Sequence, residues 1–280
     1  MESTGNAGKS LFSLEGKVAV VTGGGGVLAG AIAYGLAKAG ASVALLDLRE
    51  EAAWARADDL IAAGFRCIGV GADCLDQGAL RTALKTVVTD LGPVDVLVNT
   101  AGGNVKEATV APDTTVFGMP VQALKRVVEL NLVAGTVLPS QVFGEHMASH
   151  GRPSSIINIS SMAASRPLTR VVGYGAAKAA VDNFTRWLAV HFAMDLRIPV
   201  RVNAIAPGFF ITEQNRFLLT TDGTTLTPRG ETILAHTPMG RFGEPDDLVG
   251  AAVWLAGDAS AFVTGTIIPI DGGFSAFSGV

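Results

Sequence analysis

Seven short apolar runs recur along this 280-residue chain, and helical patterns alternate with them throughout. The runs fall at residues 17–22, 42–47, 66–70, 94–99, 155–160, 200–205 and 266–270. Most are near-continuous in Val, Ile, Leu and Ala, the pattern of parallel strands covered on both faces. Helical stretches lie between them at 28–39, 50–63, 76–91, 121–149, 173–195 and 246–257. Repeated β-α-β order predicts an α/β fold: a Rossmann-type, doubly wound parallel sheet of about seven strands with helices on both faces. No composition break, repeat or low-complexity segment divides the sequence. We therefore expect a flexible tail at 1–13 and a single domain at 14–280.

Composition narrows the partners. Hydrophobic residues make up 49% and charged residues 16%, so a large core is available. The formal charge is −4 and no long basic run occurs, which argues against nucleic acid and anionic membrane. Cys67 and Cys74 are too few for a disulfide framework, and no metal-ligand spacing surrounds them. A reduced, cytoplasmic setting and no metal are expected. The polar N-terminus has no apolar region of the secretory kind. Residues 18–37 carry no charge and mimic a membrane span, but the glycines at 23–26 split them into strand, turn and helix.

The first run ends in TGGGGVLAG, residues 22–30, and enters a helix. Glycines at such a turn let backbone approach a pyrophosphate, and the helix N-terminus offers free N–H groups and a favourable dipole. Thr22, Gly23, Gly25, Gly26, Val27 and Leu28 are the candidate contacts. Asp47 closes the second run, about twenty residues on, where a carboxylate accepts hydrogen bonds from ribose hydroxyls. It would repel a 2′-phosphate, which favours NAD over NADP. Its competing reading is a helix cap ahead of Glu50 and Glu51. GNAGKS at 5–10 resembles a triphosphate loop but lacks the leading glycine and a preceding strand.

YGAAK places Tyr174 and Lys178 four apart, on one helix face, with Ser161 thirteen residues upstream in NISSM. An ammonium beside a phenol favours the phenolate and would lower the tyrosine pKa toward neutrality. A serine hydroxyl reaching the same point would hold a carbonyl or alcohol oxygen. The three groups suit interconversion of an alcohol and a ketone by positioned proton transfer. His191 has apolar surroundings and reads as a core or interface residue.

Taken together, these residues resemble the short-chain dehydrogenase/reductase family from about residue 14 to the C-terminus. The resemblance implies a catalytic set of Asn131 (in ELNLVAG), Ser161, Tyr174 and Lys178. Asn131 would fix a water linking Lys178 to solvent, and Lys178 would also bond the nicotinamide ribose. The resemblance also implies cofactor contacts at Asp73 in GADCLD, at Asn99, Ala101 and Gly102 in NTAG, and at Pro207, Gly208 and Thr212 after the sixth run. The family glycine pattern is altered: Val27 and Ala29 occupy its last two glycine positions. A narrower resemblance is to D-mannonate oxidoreductases (fructuronate reductases) of the short type. It rests on TGGGGVL, AGGN, WLAVHF, PGFFIT–EQNR, HTPMGRFGEP and DGGFSAFSGV. It implies a keto group on a hexuronate. For such a small-molecule substrate Lys106, Arg166 and Arg216 are candidate carboxylate binders, and Asn104 and Gln214 candidate hydroxyl binders. The irregular segment 209–243 reads as a substrate lid. The alternatives are a 3-oxoacyl-thioester reductase, a polyol dehydrogenase, or a dinucleotide sensor without turnover. The helices at 121–149 and 173–195 resemble subunit-packing helices and imply a homo-oligomer, dimeric or tetrameric.

Overall fold

The structure, a computed structural model, describes residues 10–110, 115–212, 216–221 and 224–279. Seven strands form one sheet: β1 (Val18–Thr22), β2 (Ser42–Asp47), β3 (Cys67–Gly71), β4 (Val96–Asn99), β5 (Ser154–Ile159), β6 (Val200–Pro207) and β7 (Ile267–Ile270). Their order is β3-β2-β1-β4-β5-β6-β7, and every pairing is parallel. The strand order reverses between β1 and β4, and this opens a crevice at the carboxyl ends of the strands.

The helices are α1 (Val27–Lys38), α2 (Glu50–Ala62), α3 (Gln77–Asp90), α4 (Val121–Val128), α5 (Leu138–His150), α6 (Val172–Val190), α7 (Arg216–Leu219), α8 (Pro228–Ala235) and α9 (Val249–Ala256). The near-continuous strands divide residue by residue between two cores. Ala19 and Val21 of β1 face Ile32, Ala53 and Leu255 of α1, α2 and α9. Val18 and Val20 face Leu80, Phe143 and Leu188 of α3, α5 and α6. Period-two alternation against two apolar layers thus explains why no strand shows a polar face.

Strand positions follow expectation to within a residue or two. The helix expected over 121–149 is α4 and α5 joined by a π-helical stretch, Glu129–Val137. The 30-residue helical run Val121–His150 is apolar and long enough to cross a membrane. Here it is a core helix, with Val142, Phe143 and Met147 buried against the sheet. A second π turn, His191–Asp195, ends α6. The irregular segment holds α7, α8 and two isolated bridges, Phe210 with Gly243 and Thr220 with Leu226. The expected tail falls mostly on residues 1–9, outside the described residues, as does Gln214.

Gly69 of β3 meets α2 at its backbone: a Cβ there would lie 2.6 Å from the Trp54 amide nitrogen. Backbone cannot yield as a side-chain tip does. Gly69→Ala is therefore expected to cost about 1–3 kcal/mol, as overpacking does. A lowered urea midpoint with unchanged slope checks this. An unchanged midpoint would mean that α2 moves away freely.

Candidate active site

Everything at the carboxyl edge of the sheet converges on α6. Tyr174, Lys178 and Asp182 lie on one face of its first turns. The Lys178 ammonium donates to the Ile159 carbonyl at the end of β5, at 2.7 Å, and lies 5.7 Å from the Tyr174 ring centroid. The Ser161 side chain hydrogen-bonds Tyr174, and its Oγ also accepts from the Ala163 N–H at 3.1 Å. Ser161, Tyr174 and Lys178 therefore meet as expected.

The electrostatics differ from expectation. Burial pushes the Tyr174 phenol above its ordinary pKa, and the Ser161 hydrogen bond only partly opposes this. The ammonium addresses the ring and a strand carbonyl, and desolvation outweighs it at the phenol. Lys178, 4% exposed, carries the larger consequence: burial lowers it to about 8, against the opposing attraction of Asp182.

Asn131 lies in the π stretch, a feature frequent at functional sites. Its side chain is engaged by backbone: Nδ2 donates to Gly103 O (2.7 Å) and Val127 O (2.9 Å), and Oδ1 accepts from Gly103 N (3.1 Å). It clamps the loop after β4. A Cβ on Gly102 would stand 2.8 Å from Asn131 Oδ1 and 3.5 Å from Lys178 Nζ, so the loop runs hard against the ammonium. Gly135 allows the same approach from the helix side, where a Cβ would meet Ala101 O at 2.4 Å.

The glycine turn fits a dinucleotide. Gly23 is left-handed (φ +63°), and Gly26 caps α1 with no side chain bonded to the first-turn amides and no acid in that turn. Those amides and the helix dipole suit a pyrophosphate at Val27 and Leu28. Gly25 serves the neighbouring strand instead. Its N–H donates to Asp47 Oδ2 at 3.0 Å, and a Cβ there would meet Ala52 Cβ at 2.7 Å. Asp47 Oδ1 accepts from Arg49 N at 3.1 Å, and no side chain caps α2, so the helix-cap reading falls away. A carboxylate offers about four acceptor positions, which leaves capacity for ribose hydroxyls. Thr22 Oγ1 accepts from Thr100 N (3.2 Å) and Ala101 N (3.3 Å), joining the two loops that flank the crevice.

The remaining candidate residues have partners of their own. Asn99 turns into the core, where its Nδ2 bonds Ser140 Oγ (3.0 Å) and Asn158 Oδ1 (2.9 Å); Asn158 in turn bonds Thr185 (2.9 Å). Asn99 is a buried polar tie between β4, β5, α5 and α6, and its Oδ1 has no hydrogen-bond partner among the described residues. Pro207 ends β6, and Gly208 packs on the final turn, where a Cβ would meet Asp271 Cα at 2.7 Å. The Thr212 carbonyl receives the Arg216 N–H at 2.9 Å, at the start of α7. Asp73 Oδ1 accepts from Leu75 N at 2.8 Å. Lys106 is exposed, as is Asn104, whose amide bonds Thr109 at 3.1 Å.

Arg166 is engaged too. Its Nε and Nη2 donate to Ser275 O at 3.0 and 2.6 Å. The same C-terminal segment sets Phe274 against Phe209 (5.2 Å) and His236 (6.5 Å), and Phe277 against His236 (6.3 Å). Asp271 accepts from Gly273 N and Ser275 N, both at 2.9 Å, and fixes the turn. Two residues that sequence reasoning missed stand out nearby. Arg170 has left-handed backbone (φ +78°), four residues before Tyr174, and its carbonyl receives the Val110 N–H at 2.8 Å. Arg229 of α8 is half-buried, and burial and then the Arg170 charge lower its pKa. Neither has a carboxylate partner among the described residues. Cys67 and Cys74 are buried thiols pushed up to about 11 and about 12, and so are unreactive near neutrality.

Lys178 also yields a stability test. Its folded pKa, about 8, lies below the ordinary lysine value of 10.5, so the unfolded chain holds the proton more tightly between those two values. The cost of the buried ammonium is complete below that window and fades through it. Parent stability should therefore rise relative to Lys178→Met between about pH 8 and about pH 10.5 in urea denaturation. A pH-independent difference would place the ammonium in water.

Comparison with known proteins agrees with this geometry. Residues 26–275 match a family model described as "Enoyl-(Acyl carrier protein) reductase". The chain is 45% identical over 277 residues to the uncharacterized oxidoreductase UxuB of Bacillus subtilis (strain 168), covering 96% of this chain and 98% of that one. A crystal structure of a candidate D-mannonate oxidoreductase from Haemophilus influenza with bound NAD superposes with TM-score 0.88 at 41% identity, over 96% and 98% of the two chains. A candidate NAD(P)-dependent gluconate 5-dehydrogenase from Beutenbergia cavernae, with NADP at low occupancy, gives 0.83 at 35%, over 96% and 100%. A matched family model over most of the chain and relatives of this likeness, on a sheet whose carboxyl edge gathers Ser161, Tyr174 and Lys178, show that the chain belongs to the short-chain dehydrogenase/reductase family, as an NAD(P)-dependent oxidoreductase acting on CH–OH groups.

Proposed function

We propose that this enzyme interconverts a keto group and a secondary alcohol on a sugar acid of the D-fructuronate/D-mannonate kind, with NAD preferred. The observation that carries the chemistry is the Ser161–Tyr174–Lys178 cluster on the end of β5. The bound nicotinamide cofactor supplies or accepts the hydride. Tyr174, held protonated near neutrality by burial, gives its proton to the oxygen that becomes the alcohol. Ser161, already bonded to that phenol, holds the same oxygen in line. Lys178 offsets negative charge at the phenol as the proton leaves and would hold the ribose of a nicotinamide cofactor. Asn131 holds the 101–104 loop against the ammonium. Asp47 keeps acceptor capacity at the end of β2, which supports NAD, and a 2′-phosphate would meet its charge.

A carboxylated substrate needs a cation. Arg166 is committed to the C-terminal segment, which leaves Lys106 and Arg216 of the first candidates and adds Arg170 with Arg229. Two guanidiniums held together without a carboxylate favour an anion between them, and arginine binds carboxylates bidentately. The segment 209–243, which carries Arg229, is the lid in this reading. The activities named for both structural relatives above concern sugar acids, in keeping with this substrate class. Trp187, Val190, Met194 and Leu196 lie exposed along the end of α6, an apolar face suited to a second copy of the chain. A cytoplasmic homo-oligomer, dimeric or tetrameric, completes the proposal.

Two measurements test it. Tyr174→Phe should lose about 10²–10⁴-fold in kcat while still binding NADH; retained turnover would overturn the assignment. NADH oxidation with a panel of keto-uronates, keto-gluconates and uncharged ketoses should favour the acids. Arg170→Met and Arg229→Met should then raise KM for the acid about tenfold or more, the loss of one charged hydrogen bond, and leave uncharged ketoses unaffected. Equal use of charged and neutral ketones by the parent enzyme would refute the sugar-acid reading.

A further inference from the structure

Three consecutive residues at the end of β5 meet three successive turns of α6, and the proposed chemistry uses only two of those contacts. Ser161 bonds Tyr174, and the Ile159 carbonyl receives Lys178. Between them, the Ser160 hydroxyl donates to Asp182 Oδ1 in a short hydrogen bond. Ser160 is itself fixed, 1% exposed, with its N–H on the Ile205 carbonyl of β6 at 2.8 Å. Asp182 is only 8% exposed, a costly place for a carboxylate unless it is paired. The charges that face it are Lys178, one turn back, and Arg186, one turn on; β5 contributes the Ser160 hydroxyl. Lys178 in turn faces Asp182 and the Tyr174 ring. A helix lying on a strand end by two contacts can still roll about the line that joins them. A third contact two turns along removes that freedom.

We infer that Asp182 is a positioning residue of the reaction centre: through Ser160 it fixes the roll of α6 against β5, and through its charge it keeps the buried Lys178 ammonium in place beside Tyr174. This rests on the assignment of Tyr174 and Lys178 made above. Burial drives Lys178 toward its neutral form, and Asp182 is the opposing charge. Without that charge the lysine loses its proton at lower pH, and the tyrosine then lacks its cation over more of the alkaline range.

The experiment is the pH profile of kcat/KM for ketone reduction, from about pH 6 to about pH 10. It compares the parent with Asp182→Asn, Asp182→Glu, Ser160→Ala and Tyr174→Phe, with thermal melts and NADH affinity as controls. In Asp182→Asn the alkaline limb should move to lower pH by about one unit, the ordinary effect of removing one nearby opposite charge. Asp182→Glu should return the limb toward the parent position. Ser160→Ala, which keeps the charge but loses the strand contact, should lower kcat several-fold across the profile without moving the limb. A limb that coincides with the parent's in folded Asp182→Asn overturns the inference. If Asp182→Asn does not fold, unchanged kcat in Ser160→Ala overturns it instead. Turnover retained by Tyr174→Phe would sink the reaction centre as a whole, an outcome distinct from failure of Asp182 alone.

Discussion

A lysine ammonium closed off from water and hung on a strand carbonyl is the interaction around which this molecule is arranged. An ammonium buried without partners carries a large desolvation penalty, so its surroundings must be fixed before it can be tolerated. Ile159 gives it an acceptor, Asp182 an opposite charge and Tyr174 a ring face. Each of these requires something further. The Ile159 carbonyl is available because β5 ends there, at the carboxyl edge of a parallel sheet. The loop after β4 comes close enough to seal the site because Gly102 and Gly135 carry no Cβ, and Asn131 ties it down with two hydrogen bonds to the Gly103 backbone.

The strand order gives the cluster its place beside the crevice. β1 and β4 are adjacent in the sheet but far apart in sequence, and Thr22 joins their following loops through one hydroxyl. The glycine turn and the Ser161–Tyr174–Lys178 cluster are therefore parts of one edge. The helical layers hold that edge from both sides: α1, α2 and α9 on one face, α3, α5 and α6 on the other.

Much of this is legible in the residues. Strands buried on both faces announce themselves as apolar runs, and tyrosine and lysine at helical spacing must share a face. Three things are not legible. Spacing shows which side chains share a face and not what lies opposite, so the Ser160–Asp182 contact is invisible in sequence, as is the charge interaction of Arg170 with Arg229. The sign of the Tyr174 shift depends on desolvation, which exists only once the fold surrounds the ring. Asn99 reads as a crevice residue because its motif sits at a strand end, but strand parity sends its side chain to the α5 and α6 face with Leu97.

The last dozen residues carry a practical consequence. Ser275 is grasped by Arg166, from the loop that follows Ser161, while Phe274 and Phe277 lean on Phe209 and His236 of segment 209–243. Residues 274–277 are thus stitched to segment 209–243 and to the loop after β5. A purification handle or fusion partner appended after them would tug on both of those contacts.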